Sequence, residues 1–395
     1  MRKAGAVRAT HGELPGQRAG TGRAGRSASK GSDRSAAPDA RSAGAPGRDP
    51  EAGRAGPGGG VLGARRIGPR CQADRGAAAV NFWWRPDPPA WSVPLQALTP
   101  LYAAGAALHR AASRPLKVRV PVISIGNLTV GGAGKTPVTL HLAQRLAARG
   151  YKPAVLSRGY GRRSREPLEV GPEAIVEAAG DEPLLLARRG CKVFVGPRRS
   201  ALAQLAIQRG ADVLLLDDGL QHYGLARDLD VIVADASNPF GNGRLLPAGP
   251  LREPVAALRR VLHGLVWWTR CELPRDPRSA ELRAFPAVES TYDAEADLRG
   301  KRVFLFAGIA RPDSLAGTVR ALGGEIAGAR WFRDHHLFTE RELAQLHRLA
   351  AGALLVTTEK DLVRIADPAG IAAVRIDVRL LSGADVLDRA LEAIL

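Results

Sequence analysis

The sequence predicts an α/β fold: a mostly parallel sheet with helices on both faces, followed by a smaller C-terminal α/β domain. Three observations carry this prediction. Short runs of consecutive apolar residues recur between helical stretches, and apolarity that is continuous rather than alternating marks strands covered on both faces. A glycine-rich turn, GGAGKT, lies between one such run and a helix. The polar clusters fall just after strands, where parallel sheets bind their ligands. At 395 residues the chain is long enough for about two domains and a sizeable core.

Residues 1–80 come first and stand apart. They hold 15 Arg and Lys against 6 Asp and Glu, about half of the net charge of +18, and almost no large apolar side chains. Such a segment cannot bury enough surface to offset its ordering entropy, so it is expected to be disordered. A non-functional extension or a start codon placed too early is favoured over a nucleic-acid or membrane arm. No apolar stretch follows the early basic residues, so it does not read as a secretory signal. Cys71, Cys191 and Cys271 are sparse and far apart, which argues against disulfides or zinc and fits a reducing cytosol.

Residues 81–116 carry an apolar run, Val93 to Leu108, interrupted by Pro100 and too short to span a bilayer comfortably. Trp83, Trp84 and Trp91 precede it, and His109, Arg110 and Arg114 follow. That flanking suits a helix lying in a membrane surface, or equally an amphipathic helix packed on the domain.

Residues 117–299 form the predicted core. Strands are expected at Val118–Ile125, Pro153–Leu156, Lys192–Val195, Val213–Leu216 and Val231–Ala234, and helices at Pro137–Arg149, Glu182–Arg189 and Arg199–Arg209. Around Leu251–Leu298 prolines, arginines and tryptophans break the rhythm. Residues 300–395 then read as the smaller domain, with strands Arg302–Phe306 and Ala353–Thr357 and helices Ser314–Leu322, Glu340–Ala350 and Ala384–Ile394.

The loop Thr129–Thr136 is the first site of chemistry. Gly131, Gly132 and Gly134 can turn backbone N–H groups towards one point, Lys135 adds a compact charge, and Thr136 offers a hydroxyl to Mg²⁺. Pro137 suits the first helical turn. Thr129 stands where the usual phosphate-loop pattern has its first glycine, a modest loss because two glycines follow closely. The order strand, loop, helix makes this a P-loop NTPase-like nucleotide cradle, comprising Thr129, Val130, Gly131, Gly132, Ala133, Gly134, Lys135 and Thr136.

The apolar run Val213–Leu216 ends in Asp217-Asp218, the form of a Mg²⁺-holding strand end. Gln221 and His222 follow at the same edge. Asp181 and Glu182 open a helix, where acidic residues commonly serve the helix dipole; spacing alone favours that use over a general base. Asp334, His335 and His336 can bind metal, orient a base or cap a helix, and the sequence leaves the choice open. TTEKD at Thr357–Asp361 lacks the spacer of a guanine-reading N/T-K-x-D motif, so base recognition of that kind is not supported. Arg244 and Arg252 lie on a Gly- and Pro-rich loop suited to a phosphorylated ligand, or to a plain solvated connection.

Taken in order, VISIGNLTVGGAGKTP, LSRGYGRR, GDEPLLLA, LLLDDGLQHYGLARDLD, GNGRLLPAGPLREP, FAGIARP, DHH and TTEKD resemble the tetraacyldisaccharide 4′-kinase (lipid A 4′-kinase) family. The resemblance runs from about Pro121 to the C-terminus, more loosely over Trp83 to Arg114, and not over residues 1–80. It implies a kinase that moves the ATP γ-phosphate to the 4′-hydroxyl of tetraacyldisaccharide 1-phosphate with Mg²⁺. It would work peripherally at the cytoplasmic face of the inner membrane, without nucleic acid or a specific protein partner. It implies ATP at the loop, metal at Thr136, Asp217 and Asp218, and catalysis by Asp181 and Lys135 with His335 or His336. Arg158, Gln221, His222 and Arg244 become candidates for the phosphorylated sugar. The alternative is another P-loop kinase or NTPase acting on a different acceptor. Ala133 and Arg162-Arg163 depart from the family's usual small hydroxyl residue and second glycine.

Overall fold

Continuous apolar runs become buried parallel strands. The computed structural model describes residues 72–73, 81–85, 87–309 and 312–395. Its strands are β1 (Gln72–Ala73), β2 (Val122–Gly126), β3 (Pro153–Ser157), β4 (Leu168–Val170), β5 (Lys192–Val195), β6 (Val213–Asp217) and β7 (Leu229–Asp235). They continue as β8 (Gly264–Thr269), β9 (Ala287–Glu295), β10 (Arg302–Ala307), β11 (Glu325–Trp331), β12 (Leu354–Thr358) and β13 (Ile371–Ser382). The helices are α1 (Thr99–Ala112), α2 (Lys135–Ala148), α3 (Val176–Ala179), α4 (Asp181–Arg188), α5 (Arg199–Gln208), α6 (Pro312–Ala321), α7 (Glu340–Ala350), α8 (Glu359–Leu362) and α9 (Ala384–Glu392).

Strands are ordered β1-β11-β10-β12-β13-β9-β8-β7-β2-β6-β3-β5-β4 in one sheet. β2 lies between β6 and β7, parallel to both, so the two acid-ending strands flank the strand that feeds the glycine loop. All residues of β2, β6 and β7 are buried. Ile123, Ile125, Leu142, Leu146, Leu184 and Trp267 share the core beneath one face. Leu142→Ala, at a position with no exposure, should cost about 2–5 kcal/mol of stability.

The region around Leu251–Leu298 holds two strands that the sequence rhythm concealed. β8 continues the parallel core beside β7, and β9 runs beside β8. β9 mixes buried, half-buried and exposed residues and is bracketed by Pro- and Arg-containing turns, so it lacks the signal of its neighbours. The long β13 joins the two predicted segments. Its first residues pair in parallel with β12, and Arg375 to Ser382 pair antiparallel with β9. The described residues belong to the compact unit Arg65–Leu395. Apart from the two-residue β1, the expectation for residues 1–80 lies outside the described residues.

The apolar run after the tryptophans divides into a 3-10 stretch, Ala90–Leu98, and α1. No residue of α1 is buried, while Tyr102 Oη donates to Arg252 O at 3.2 Å and Arg110 lies 3.8 Å from Glu253. Trp91, Val93, Leu98, Leu101 and Leu108 are exposed. No described helix is long and apolar enough to cross a membrane.

Candidate active site

The glycine loop takes its shape from close packing. Gly134, at φ 90°, precedes α2, and a Cβ there would lie 1.8 Å from the Tyr292 hydroxyl. Only glycine tolerates both the left-handed backbone and that approach. Thr129 has a role a glycine could not fill: its hydroxyl accepts from Asn127 Nδ2 at 3.0 Å, and the Val130 amide donates to Pro250 O at 2.8 Å. Asn127 Oδ1 in turn accepts from Lys135 Nζ at 3.0 Å. Asn127 therefore aims the lysine and was missed from sequence. Thr136 sits half-buried in the first turn of α2, an end whose N–H groups suit an anion.

The adjacent aspartates at the end of β6 have different surroundings. Asp218, in a left-handed conformation at φ 54°, accepts from Arg252 Nη1 at 2.8 Å on both oxygens and lies 3.5 Å from Lys135 Nζ. Burial raises its carboxyl, but Lys135 and Arg252 outweigh that and hold it at about 2. Asp217 is buried and, among the described residues, its side chain accepts from Thr139 Oγ1 at 3.5 Å and Ser157 Oγ at 3.3 Å. Burial, then Glu182 and Asp218, push it up to about 7. A buried carboxylate with weak hydroxyl donors and, among the described residues, no salt bridge of its own fits a divalent cation; the charges of Lys135 and Arg199 act on it without outweighing burial. Among the described residues no group of three or more His, Cys, Asp and Glu is placed to hold a metal by itself. A hard cation held by Thr136, one or two carboxylates, water and phosphate oxygens needs no such group.

Asp181 begins α4 after Gly180, whose φ is 86°. A Cβ on Gly180 would meet Tyr160 O at 2.9 Å, so the glycine lets the SRGYG loop pass against the helix start. Asp181 Oδ2 accepts from His335 Nδ1 at 2.8 Å and from Arg364 Nε at 2.9 Å, with Arg364 Nη2 also bonded. Oδ1 accepts from its neighbour's amide, Glu182 N, at 3.0 Å. Burial raises the carboxyl, yet the His335 hydrogen bond and the charges of Lys360 and Arg364 hold it well below the usual carboxylate range. The structure thus brings His335, not His336, to Asp181. His335 adopts φ 59° and tilts against the Tyr160 ring at 5.3 Å. His336 stacks on Phe332 and pairs with Glu342 at 3.1 Å, inside the capping box that starts α7.

The remaining sequence candidates divide. His222 is pushed down to about 4 by burial and by nearby Arg199, Arg158 and Arg227, so the ring is neutral at physiological pH. Gln221 Nε2 donates to Asn127 O at 3.1 Å, and Gln221 Oε1 accepts from Arg252 at 3.2 Å. Arg244 lies on the Gly241–Pro254 loop, where its amide donates to Asn242 Oδ1 at 3.1 Å. Arg199 was missed: it opens α5, is buried, and donates to Gly196 O at 3.2 Å and Asp217 O at 3.4 Å. Arg364 and Lys360 were missed too, since their partners lie far away in sequence. Glu182, beside Asp181, feels the charge of Lys135 and also raises Asp217, so the start of α4, the loop lysine and the end of β6 lie near one another.

Comparison with known proteins gives the family. The family model described as tetraacyldisaccharide-1-P 4′-kinase matches residues 91–395. The tetraacyldisaccharide 4′-kinase of Anaeromyxobacter sp. (strain Fw109-5) is 47% identical over 359 residues, covering 80% of this chain and 96% of that one. That of Methylobacterium sp. (strain 4-46) is 43% identical over 317 residues, with 78% and 94% covered. The crystal structure of LpxK from Aquifex aeolicus in complex with ATP is similar at TM-score 0.64 and 28% identity, covering 77% of this chain and 99% of that one.

Proposed function

The chain belongs to the tetraacyldisaccharide-1-P 4′-kinase family, and on that premise we propose how its residues carry the reaction. It is an ATP-dependent kinase of lipid A synthesis, acting on the 4′-hydroxyl of a tetraacyldisaccharide 1-phosphate with Mg²⁺. Phosphoryl transfer passes through a loose transition state, so the protein contributes chiefly positioning and charge neutralisation. Backbone amides of Gly131–Thr136 and the Lys135 ammonium bind the β- and γ-phosphates. Mg²⁺, when bound, would supply neutralisation of phosphate charge. Thr136 and Asp217 would hold it, with Asp218 the less fitted carboxylate because Arg252 and Lys135 already engage it.

Asp181 accepts the proton of the 4′-hydroxyl. Its Oδ2 is filled by protein donors, while Oδ1 has a single amide donor and faces the remaining task. His335 fixes the carboxylate through Nδ1–H. Arg158, Gln221, His222 and Arg244 receive the phosphorylated sugar. In this reading residues 117–299 hold nucleotide and metal, and residues 300–395 supply the partners of the base.

The exposed Trp91, Leu98, Leu101 and Leu108, next to basic Arg110 and Arg114, support docking on the cytoplasmic face of the inner membrane, where an acylated substrate resides.

The convergence of Lys135, Asp217 and Asp181 carries this reading. The test is phosphoryl transfer from labelled ATP to tetraacyldisaccharide 1-phosphate, with the product's phosphate position determined. Label at the 4′-position is expected. ATP consumption that ignores the acceptor would favour an NTPase instead.

A further inference from the structure

The TTEKD stretch fits no nucleotide-reading pattern, yet Thr358, Lys360 and Asp361 within it are closely hydrogen-bonded. It forms the end of β12 and the start of α8. Thr358 caps α8, its hydroxyl accepting from Asp361 N at 3.1 Å and donating to Asp361 Oδ2 at 2.7 Å. Asp361 Oδ1 accepts from Gly308 N at 3.1 Å and Arg364 Nη1 at 2.8 Å. The same Arg364 Nη1 donates to Gly308 O at 3.0 Å, a carbonyl that also accepts from His335 N at 3.1 Å. The other two guanidinium nitrogens reach Asp181 Oδ2. The Arg364 side chain is 1% exposed and that of Asp361 0%. One residue later in α4, Glu182 Oε1 accepts from Lys360 Nζ at 2.9 Å.

Arg364 therefore touches both halves of the Asp181–His335 pair: the carboxylate directly, and the histidine turn through Gly308. A planar guanidinium fixed on one edge by Asp361 and Gly308 presents its other edge in a single orientation. We propose that Arg364, held by the Thr358–Asp361 cap, is a positioning residue for phosphoryl transfer: it locks Asp181 by Oδ2 and thereby leaves Oδ1 directed at the acceptor hydroxyl. The inference rests on the reading of Asp181 as the base.

The charged groups facing Asp181 are His335 and Asp334 from the turn before α7, Lys360, Asp361 and Arg364 from α8 and its extension, and Glu182 beside it. Removal of Arg364 leaves burial opposed by His335, Lys360 and the Glu182 amide. The Asp181 carboxyl then rises, and the variant loses activity on the acid side at a higher pH than wild type.

The experiment measures kcat, KM for ATP and the pH profile of kcat/KM in the full chain with Mg-ATP and tetraacyldisaccharide 1-phosphate in detergent micelles. The variants are Arg364→Met, Arg364→Lys, Asp181→Asn and Asp181→Asn/Arg364→Met, with thermal melting as the folding control. Arg364→Met should lower kcat on the order of 10²-fold at neutral pH, keep the KM for ATP, and recover part of the loss as pH rises. Arg364→Lys keeps the charge and loses the fork, so its kcat should fall while its acid limb moves less. If Arg364→Met does not fold, Arg364→Lys decides: wild-type kcat in that variant overturns the proposal. A uniform loss at every pH in folded Arg364→Met also overturns it. The double variant should be no worse than Asp181→Asn alone. Near-normal turnover in Asp181→Asn would instead sink the base assignment itself, a separate result.

Discussion

Two buried carboxylates stand at the same edge of one sheet in opposite surroundings. Asp181 opens α4 and meets His335 and Arg364 directly, with Lys360 nearby. Asp217 ends β6 and meets two hydroxyls at hydrogen-bond lengths of 3.3 and 3.5 Å. Burial raises both carboxyls. At Asp181 the cationic partners overcome it, whereas at Asp217 the acidic neighbours Glu182 and Asp218 add to it, and the group reaches about 7. The comparison teaches that burial alone does not set the state of a site carboxylate; the built-in partner does. Asp181 is complete within the protein, while Asp217 is suited to a cation arriving with the nucleotide.

The largest test of that contrast is Asp181→Asn. It should reduce turnover on the order of 10²–10⁴-fold with ATP binding retained, measured by kinetics alongside nucleotide titration. Loss of ATP binding would place Asp181 with the nucleotide and erase the contrast.

Asp217→Asn should weaken the Mg²⁺ dependence of activity and alter stability with a definite sign. The folded carboxyl lies above its unfolded value of 3.8. Its contribution is therefore fully present below that value and is lost as pH rises towards about 7. Without metal, wild type should melt at a lower temperature at pH 8 than at pH 5.5, and Asp217→Asn should narrow that difference. An unchanged difference would show that Asp217 is already compensated.

The two histidines give a smaller and more selective effect. His335→Ala should lower kcat by on the order of 10-fold or more, while His336→Ala should act mainly on stability, by about 1 kcal/mol through the α7 cap. Equal kinetic losses would dissolve the distinction. Smallest on chemistry, Leu101→Glu with Leu108→Glu should reduce sedimentation with anionic vesicles and leave melting temperature nearly unchanged, since neither side chain is buried.

Much of the fold was legible because its signals are local. β5 and α7 lie where apolar runs and caps placed them, and β2, β3, β6, β7 and α2 differ by only a few residues at their ends. β8, β9, β11 and β13 were not legible. β9 and β13 mix exposure along their length, and their pairing with each other spans some 80 residues of chain. In the site, the glycine loop and the acid-ending strand could be read directly. Asn127, Arg199, Lys360 and Arg364 could not, because each is an ordinary polar residue until its partner is known.

The sequence by itself determined the glycine-rich turn before α2, the acid-ending strand, the parallel sheet and, through the ordered set of motifs, the family. Those features depend on residues a few positions apart, where turn geometry, helix capping and strand burial are settled by near neighbours. Tertiary structure alone decided that His335 rather than His336 meets Asp181, 154 residues away, and that Arg364 reaches it across 183. It also decided that of two adjacent aspartates one meets Arg252 and Lys135 while the other meets two hydroxyls. Such ion pairs form between groups that sheet order brings together from distant parts of the chain. The strength of each then depends on how far water is excluded around it.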